Sequence, residues 1–218
     1  MKIGEHSLRV NEIFKSIQGE TTYAGLPFVF VRLTGCNLRC SYCDTTYAYE
    51  EGTDISLNEI IETINNYKCK NVCITGGEPL LQENVYALIN QLRQSGYFIT
   101  IETNGSIDIG LIPKDVIRIL DIKCPYSGGH DKTDLSNIER LRPSDEVKFV
   151  ISSKNDYEWA KGIFTKHNLS EKSKVLFSVA YGILEPKYLA EWILNDKLNV
   201  RFQLQQHRYI WPDRTRGV

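Results

Sequence analysis

The sequence has no excess charge of either sign. Across 218 residues, 26 Lys and Arg stand against 27 Asp and Glu, a formal net charge of -1. That balance gives no electrostatic reason to bind nucleic acid or an anionic membrane. Long apolar runs are absent too. FVFVRL at residues 28–33 and NVCIT at 71–75 fall far short of the roughly 20 residues a membrane-spanning helix needs. The opening stretch MKIGEHSLRVNEIF has no apolar centre of the kind a secretory signal carries, so a cytoplasmic protein is expected. No repeat, low-complexity tract or Pro/Gly-rich linker divides the chain. A single domain over residues 1–218 is the simplest organisation at a usual size of about 100–200 residues per domain.

Cysteine is present, and unevenly placed. Of 6 Cys, Cys36, Cys40 and Cys43 fall within eight residues, while Cys69, Cys73 and Cys124 are scattered. In a chain without an export signal, such crowding points to metal binding or catalysis rather than disulfides. The C-x3-C-x2-C spacing lets three thiolates wrap one corner of an iron–sulfur cluster. A four-iron cubane then keeps one iron open, as a catalytic metal site requires. Zinc is the other reading of the spacing, with a fourth ligand from Cys69, Cys73, His6 or His207.

Strand and helix signals alternate along the chain. Strands are expected over residues 28–34, 72–75, 98–102, 117–122, 147–151, 175–179 and 200–204. Helices are expected after a capping box at Ser56 and Glu59, over 83–95 with Gly96 as its stop, and over 134–141, 156–167 and 186–196. Such alternation predicts right-handed βαβ units and a parallel sheet. About seven strands are too few for a full eightfold barrel of roughly 250 residues. The expected fold is therefore an α/β incomplete TIM-type barrel, with a doubly wound open sheet as the alternative. Both architectures put chemistry at the C-terminal strand ends. Cys36, the Gly76 and Gly77 pair, the Glu102-to-Asn104 stretch and Lys123 each follow directly on an expected strand, which argues for one shared site.

The cysteine spacing after a first strand, together with Gly76, Gly77, Glu78 and Pro79 after the second, resembles the radical S-adenosylmethionine superfamily. That resemblance implies a 4Fe-4S cluster on Cys36, Cys40 and Cys43. Its open iron would hold S-adenosylmethionine, whose reductive cleavage gives a 5′-deoxyadenosyl radical. Further segments resemble one family within it, 7-carboxy-7-deazaguanine synthase. They are residues 14–20 (FKSIQGE), 30–36 (FVRLTGC), 42–45 (YCDT) and 205–211 (QQHRYIW). The resemblance spans the whole chain and implies radical ring contraction of 6-carboxy-5,6,7,8-tetrahydropterin, with loss of ammonia, on the route to queuosine and other deazapurines.

The same resemblance assigns residues. Tyr42, Cys43, Asp44, Gly76, Gly77, Glu78, Glu102, Asn104, Lys123, Cys124 and Pro125 would lie along the cofactor. Ile17, Gln18, Gly19, Glu20, Arg32, Thr75, His207 and the Val218 carboxylate would meet the pterin substrate. Thr45 would hold Mg2+, with Thr46 as a neighbouring competitor. Residue types suit these roles: an Arg is a bidentate partner for a carboxylate, and a hydroxyl is a hard ligand for Mg2+. Without the resemblance, Arg32 reads as half of an ion pair, residues 17–20 as a polar turn, and Thr45 as a local backbone hydrogen bonder. Ser178 to Tyr181 stand where many relatives have a Gln-Pro cofactor contact. Two rival functions are a glycyl-radical activase of the same superfamily and a zinc-binding non-enzymatic module. A flavodoxin or ferredoxin reductant and a homodimer complete the implied partners; no nucleic acid or membrane is implied.

Overall fold

The computed structural model describes residues 6–218. The strands are β1 Ser7–Ile17, β2 Pro27–Leu33, β3 Thr53–Ser56, β4 Asn71–Gly76, β5 Phe98–Thr103, β6 Ile117–Asp121, β7 Glu146–Ile151, β8 Lys174–Val179 and β9 Arg201–Gln203. The helices are α1 Leu57–Asn66, α2 Val85–Gln94, α3 Lys154–Lys166, α4 Leu169–Lys172, α5 Pro186–Asn195 and α6 Gln206–Ile210. One sheet carries all the strands, in the order β3-β1-β2-β4-β5-β6-β7-β8-β9. From β2 onward every pairing in that order is parallel. The sheet curls without closing and is the expected incomplete barrel.

Its parallel strands are apolar on both faces because both faces are covered. Side chains alternate across a strand. In β2, Val29, Val31 and Leu33 point outward into a core shared with Leu57, Ile60, Ile64, Val85, Leu88 and Leu92 of α1 and α2. Phe28 and Phe30 point inward and pack with Phe14, Cys73, Tyr23 and Phe98. Phe14 and Phe30 stack at 5.0 Å. This aromatic layer is a dry floor inside the barrel.

Two strands escape the sequence pattern. β1 and β3 add antiparallel to the free side of β2. β1 is hidden because its pairing with β2 slips between Val10 and Glu12. Leu8 and Val10 face the helix-side core, and so does Ile13, one step out of phase, while Phe14 joins the inner layer. A bulge thus breaks the period of two that marks a strand. The stretch 134–141, expected to be α-helical, is instead a 3-10 segment, Leu135–Arg140. Asp134 accepts from Ser136 N at 2.9 Å, a local bond that favours turns over helices. The capping box at Ser56 and Glu59 forms as expected, and Gly96 takes a left-handed φ of 71° at the end of α2.

The open side of the barrel is bridged by the β1–β2 loop. Glu20 pairs with Lys148 of β7 at 2.7 Å. Thr22 N donates to Glu146 at the start of β7 at 3.1 Å. Gln203 of β9 donates to Thr21 O at 2.8 Å, and Gln206 N to Gly19 O at 2.9 Å.

Candidate active site

The inward positions near the C-terminal strand ends are polar. Arg32 of β2 sits beside Thr75 of β4 in register, and Asp121 of β6 beside Lys148 of β7. Glu102 of β5 lies between these pairs. They line a cavity of about 360 Å³ together with residues from the loops above, within the size of a small-molecule site.

The cysteines belong to this cavity. Cys36, Cys40 and Cys43 all line it, and none is in a disulfide. Their loop leaves β2 and is pinned from two sides. On one, Gly77 N donates to Leu33 O at 3.1 Å and Glu78 N to Gly35 O at 2.7 Å. A Cβ on Gly77 would lie 2.1 Å from Gly35 O, so only glycine permits this approach. On the other, Ser41 N donates to Ser127 O at 3.0 Å and Ser41 Oγ to Tyr126 O at 2.8 Å. Burial pushes the Cys36 and Cys40 thiols above their ordinary pKa, with the Leu38 N–H and Lys123 respectively pulling back. Cationic irons would hold such thiols as thiolates.

The donor set fits a cubane cluster. It is soft and three-fold, and each thiolate can take its own iron. Among the described residues, no group of three His, Cys, Asp or Glu side chains converges as a site for a single ion, which is what tetrahedral zinc would ask for. The other cysteines are placed elsewhere. Cys73 and Cys124 are buried in apolar cores, and the Cys69 thiol donates to Pro27 O at 3.3 Å.

The same cavity also carries polar groups suited to a ligand. Arg32 Nε pairs with Glu12 at 2.8 Å. Glu12 also accepts from Tyr47 Oη at 3.0 Å and from Gly217 N at 3.1 Å. The pair expected for an isolated Arg32 therefore exists, yet Arg32 still lines the cavity. Glu20 Oε1 accepts from Gln205 Nε2 at 2.9 Å, and Glu20 N donates to Gln18 Oε1 at 3.1 Å. Burial alone would raise the Glu20 pKa, but Lys148 and His207 overcome it and hold the carboxyl at about 2. Burial dominates at Glu102 and raises its pKa despite Lys148 and Arg32; its Oε2 accepts from Thr75 Oγ1 at 3.3 Å.

Residues 30–126 match the family model described as the radical SAM superfamily. The chain is 41% identical to the 7-carboxy-7-deazaguanine synthase of Koribacter versatilis, over 97% of this chain and 100% of that protein. It is 42% identical to the one from Chlorobaculum tepidum, over 98% and 99%. The chain belongs to the 7-carboxy-7-deazaguanine synthase family. It is thus a radical S-adenosylmethionine enzyme of the lyase type, and the superfamily's 4Fe-4S cluster and S-adenosylmethionine are its cofactors. In fold it is similar to the crystal structure of QueE from Escherichia coli, with a TM-score of 0.78 at 21% identity over 92% of this chain and 95% of that one. Streptococcus suis SuiB bound to its precursor peptide SuiA is similar at a TM-score of 0.55 and 12% identity, over 78% and 46%. No described helix is long and apolar enough to cross a membrane.

Most residues that the family resemblance singles out meet in this one cavity. Ile17, Gln18, Gly19, Glu20, Arg32, Tyr42, Asp44, Thr45, Thr75, Gly76, Gly77, Glu102, Asn104, Lys123, His207 and Val218 line it alongside the cysteines. Thr45 Oγ1 lies 3.7 Å from Cys43 Sγ, whereas Thr46 opens a 3-10 turn outside the lining. Three other residues expected along the cofactor, Glu78, Cys124 and Pro125, lie just outside this lining. Glu78 turns away and accepts from Asn104 N at 2.7 Å, Thr103 Oγ1 at 2.8 Å and Leu80 N at 3.0 Å. Next to Lys123, Cys124 points to the opposite side, into the helix-side core. Pro125 begins the turn that braces the cysteine loop from behind. Asp121 and Lys148 belong to the site but carry no local sequence signal. Ala180 and Tyr181 also line the cavity.

Proposed function

We propose that the chain converts 6-carboxy-5,6,7,8-tetrahydropterin to 7-carboxy-7-deazaguanine by radical ring contraction with loss of ammonia. One observation carries this reading: a single cavity is lined both by three free thiols and by Arg32 with Gln18, Gly19 and Glu20. When bound, the cluster and S-adenosylmethionine supply a 5′-deoxyadenosyl radical. Cys36, Cys40 and Cys43 would hold the cluster. Tyr42, Asp44, Gly76, Gly77, Asn104 and Lys123 would lie against the cofactor.

The remaining residues position the substrate. Glu12 occupies Arg32 Nε, which leaves the terminal guanidinium nitrogens for the pterin carboxylate. Glu20 is an acceptor-only group when ionised and suits the N–H edge of the pyrimidine ring. His207, Thr75 and the Val218 end enclose the same space. Thr45 would be the protein ligand to a Mg2+ whose remaining positions go to substrate and water. A flavodoxin or ferredoxin would deliver the electron, and the open sheet edges suit a homodimer.

The test is anaerobic reconstitution with iron and sulfide, then turnover with dithionite, S-adenosylmethionine, Mg2+ and the pterin. Mass spectrometry should find 5′-deoxyadenosine and 7-carboxy-7-deazaguanine together, with turnover reduced when Mg2+ is chelated. Radical formation without deazaguanine would reject the substrate. A full cluster that cleaves no cofactor would reject the reading altogether.

A further inference from the structure

Four ionisable side chains, Glu20 and Lys148 buried and Asp121 and Lys123 partly so, alternate in sign across the cavity. Glu20 Oε2 lies 2.7 Å from Lys148 Nζ, Lys148 Nζ lies 3.3 Å from Asp121 Oδ2, and that oxygen lies 3.0 Å from Lys123 Nζ. Lys148 is 5% exposed and Glu20 8%. A lone ammonium at such depth would shed its proton, because burial disfavours the charged form. Flanked by Glu20, Asp121 and Glu102, Lys148 is instead held charged, its pKa well above the ordinary value although burial works against it. Its reach spans the barrel: Glu20 belongs to the β1–β2 loop, 128 positions earlier in the chain.

Lys148 and Gln205 grip the Glu20 carboxylate at separate oxygens, Oε2 and Oε1. An ionised carboxylate has about four acceptor sites, so acceptor capacity remains on both oxygens, and Glu20 lines the cavity. Two adjacent carboxylate oxygens match two adjacent, parallel N–H donors. The 2-amino-4-oxopyrimidine edge of a pterin has such a pair in its amino group and N3–H. A protonated Glu20 would spend one oxygen as a donor and lose the match.

We propose that Lys148 is a positioning residue that keeps Glu20 an aligned carboxylate and so restricts the cavity to rings whose edge presents two neighbouring N–H donors. The inference rests on the pterin reading above and adds to it the residue that makes the edge selective. A ring carrying a 2-oxo group in place of the 2-amino group would set an acceptor against the carboxylate. Its rejection follows from electrostatics rather than from size, since the two groups are nearly isosteric.

The other charged groups around Glu20 do not replace Lys148. His207 faces it, but burial lowers the pKa of that imidazole even with Glu20 beside it. Glu102 would repel Glu20, and Lys123 is engaged by Asp121. Removing Lys148 therefore leaves burial to raise the Glu20 pKa towards neutrality.

The experiment compares the anaerobically reconstituted wild type with Lys148→Gln and Lys148→Arg. Losing one partner of a buried charge pair should raise KM for the pterin about 30-fold or more in Lys148→Gln at pH 7. The rise should grow as pH falls from 8.5 to 6, whereas the wild-type KM stays level. Lys148→Arg should recover part of the loss. Discrimination between the pterin and its 2-oxo analogue should shrink in Lys148→Gln. A wild-type KM in Lys148→Gln, or an equal loss for both edges with a flat pH profile, would overturn the proposal.

A second readout needs no turnover. In the oxidised reconstituted chain labelled with 13C-glutamate, with Glu20→Gln assigning the signal, Glu20 should stay ionised at pH 6 in the wild type. In Lys148→Gln it should take up a proton above pH 5. A Glu20 that stays ionised in both would overturn the role of Lys148 even if the pterin proved to be the wrong substrate. Conversely, a wild type that cleaves S-adenosylmethionine but leaves the pterin intact would reject the substrate without deciding Lys148, which the titration then decides.

Discussion

The Glu78 carboxylate accepts the Asn104 backbone N–H at 2.7 Å across 26 positions of sequence, fastening the end of β4 to the end of β5 beneath the cavity. Burial raises the Glu78 pKa to about 6, against the pull of the Asn104, Leu80 and Thr103 donors. A carboxyl whose folded pKa lies above its unfolded value near 4.5 favours the folded state most when protonated. That contribution is complete below about pH 4.5 and is lost as pH rises through about 6. In urea unfolding of the apo chain, wild type minus Glu78→Gln should therefore be larger at pH 5 than at pH 8, by about 1–2 kcal/mol. A difference that is flat across this range would contradict the shift.

Cluster loading should separate the cysteines into two groups. Cys36→Ala, Cys40→Ala and Cys43→Ala should each abolish the brown iron–sulfur absorbance and S-adenosylmethionine cleavage. Cys69→Ser should keep both, because its thiol donates only to backbone carbonyls, of Pro27 and Asn71. Iron and sulfide analysis after anaerobic reconstitution reads the outcome.

Gly77→Ala should act through the backbone. Its Cβ would fall 2.1 Å from Gly35 O and 2.7 Å from the Cys36 Cβ, and neither neighbour is the free end of a flexible side chain. The cysteine loop must shift, at a cost of about 1–3 kcal/mol. Lower iron content than wild type, with the far-ultraviolet circular dichroism preserved, is the expected result.

Arg32→Lys should uncouple radical formation from product. The guanidinium spends Nε on Glu12 at 2.8 Å and keeps a planar pair of nitrogens for a carboxylate; an ammonium offers a point charge. KM for the pterin should rise about 10-fold or more, corresponding to about 1.4 kcal/mol or more. The ratio of 5′-deoxyadenosine to deazaguanine should rise with it, as measured by mass spectrometry.

Residues whose partners are close in sequence, or whose spacing is itself the signal, were legible from the amino acids. Cys36, Cys40 and Cys43 are such a case, and so is the Ser56–Glu59 capping box. The parallel strands were legible because both of their faces are apolar. Lys148 was not. Nothing in the run EVKFVI marks it, and only the approach of Glu20 and Asp121, 128 and 27 positions away, makes it part of the site. Cys124 differs in its setting, with its side chain in the helix-side core. Its neighbour Lys123 takes the inward direction, so the alternation of an extended chain sends Cys124 to the far side. β1 was lost to a single bulge, which kept Val10 and Ile13 on the same helix-side face and so broke the period of two that marks a strand.

The bridge from the β1–β2 loop to β7 and β9 has a consequence for biosynthesis. Residues 19–22 are made early, but the groups that hold them belong to Glu146, Lys148, Gln203 and Gln206. A chain still emerging from the ribosome can pair β1 with β2 and build the cysteine loop well before those anchors exist. The cysteine loop can therefore take shape during translation, while the Gly19–Thr22 stretch must wait for the last part of the chain to be released.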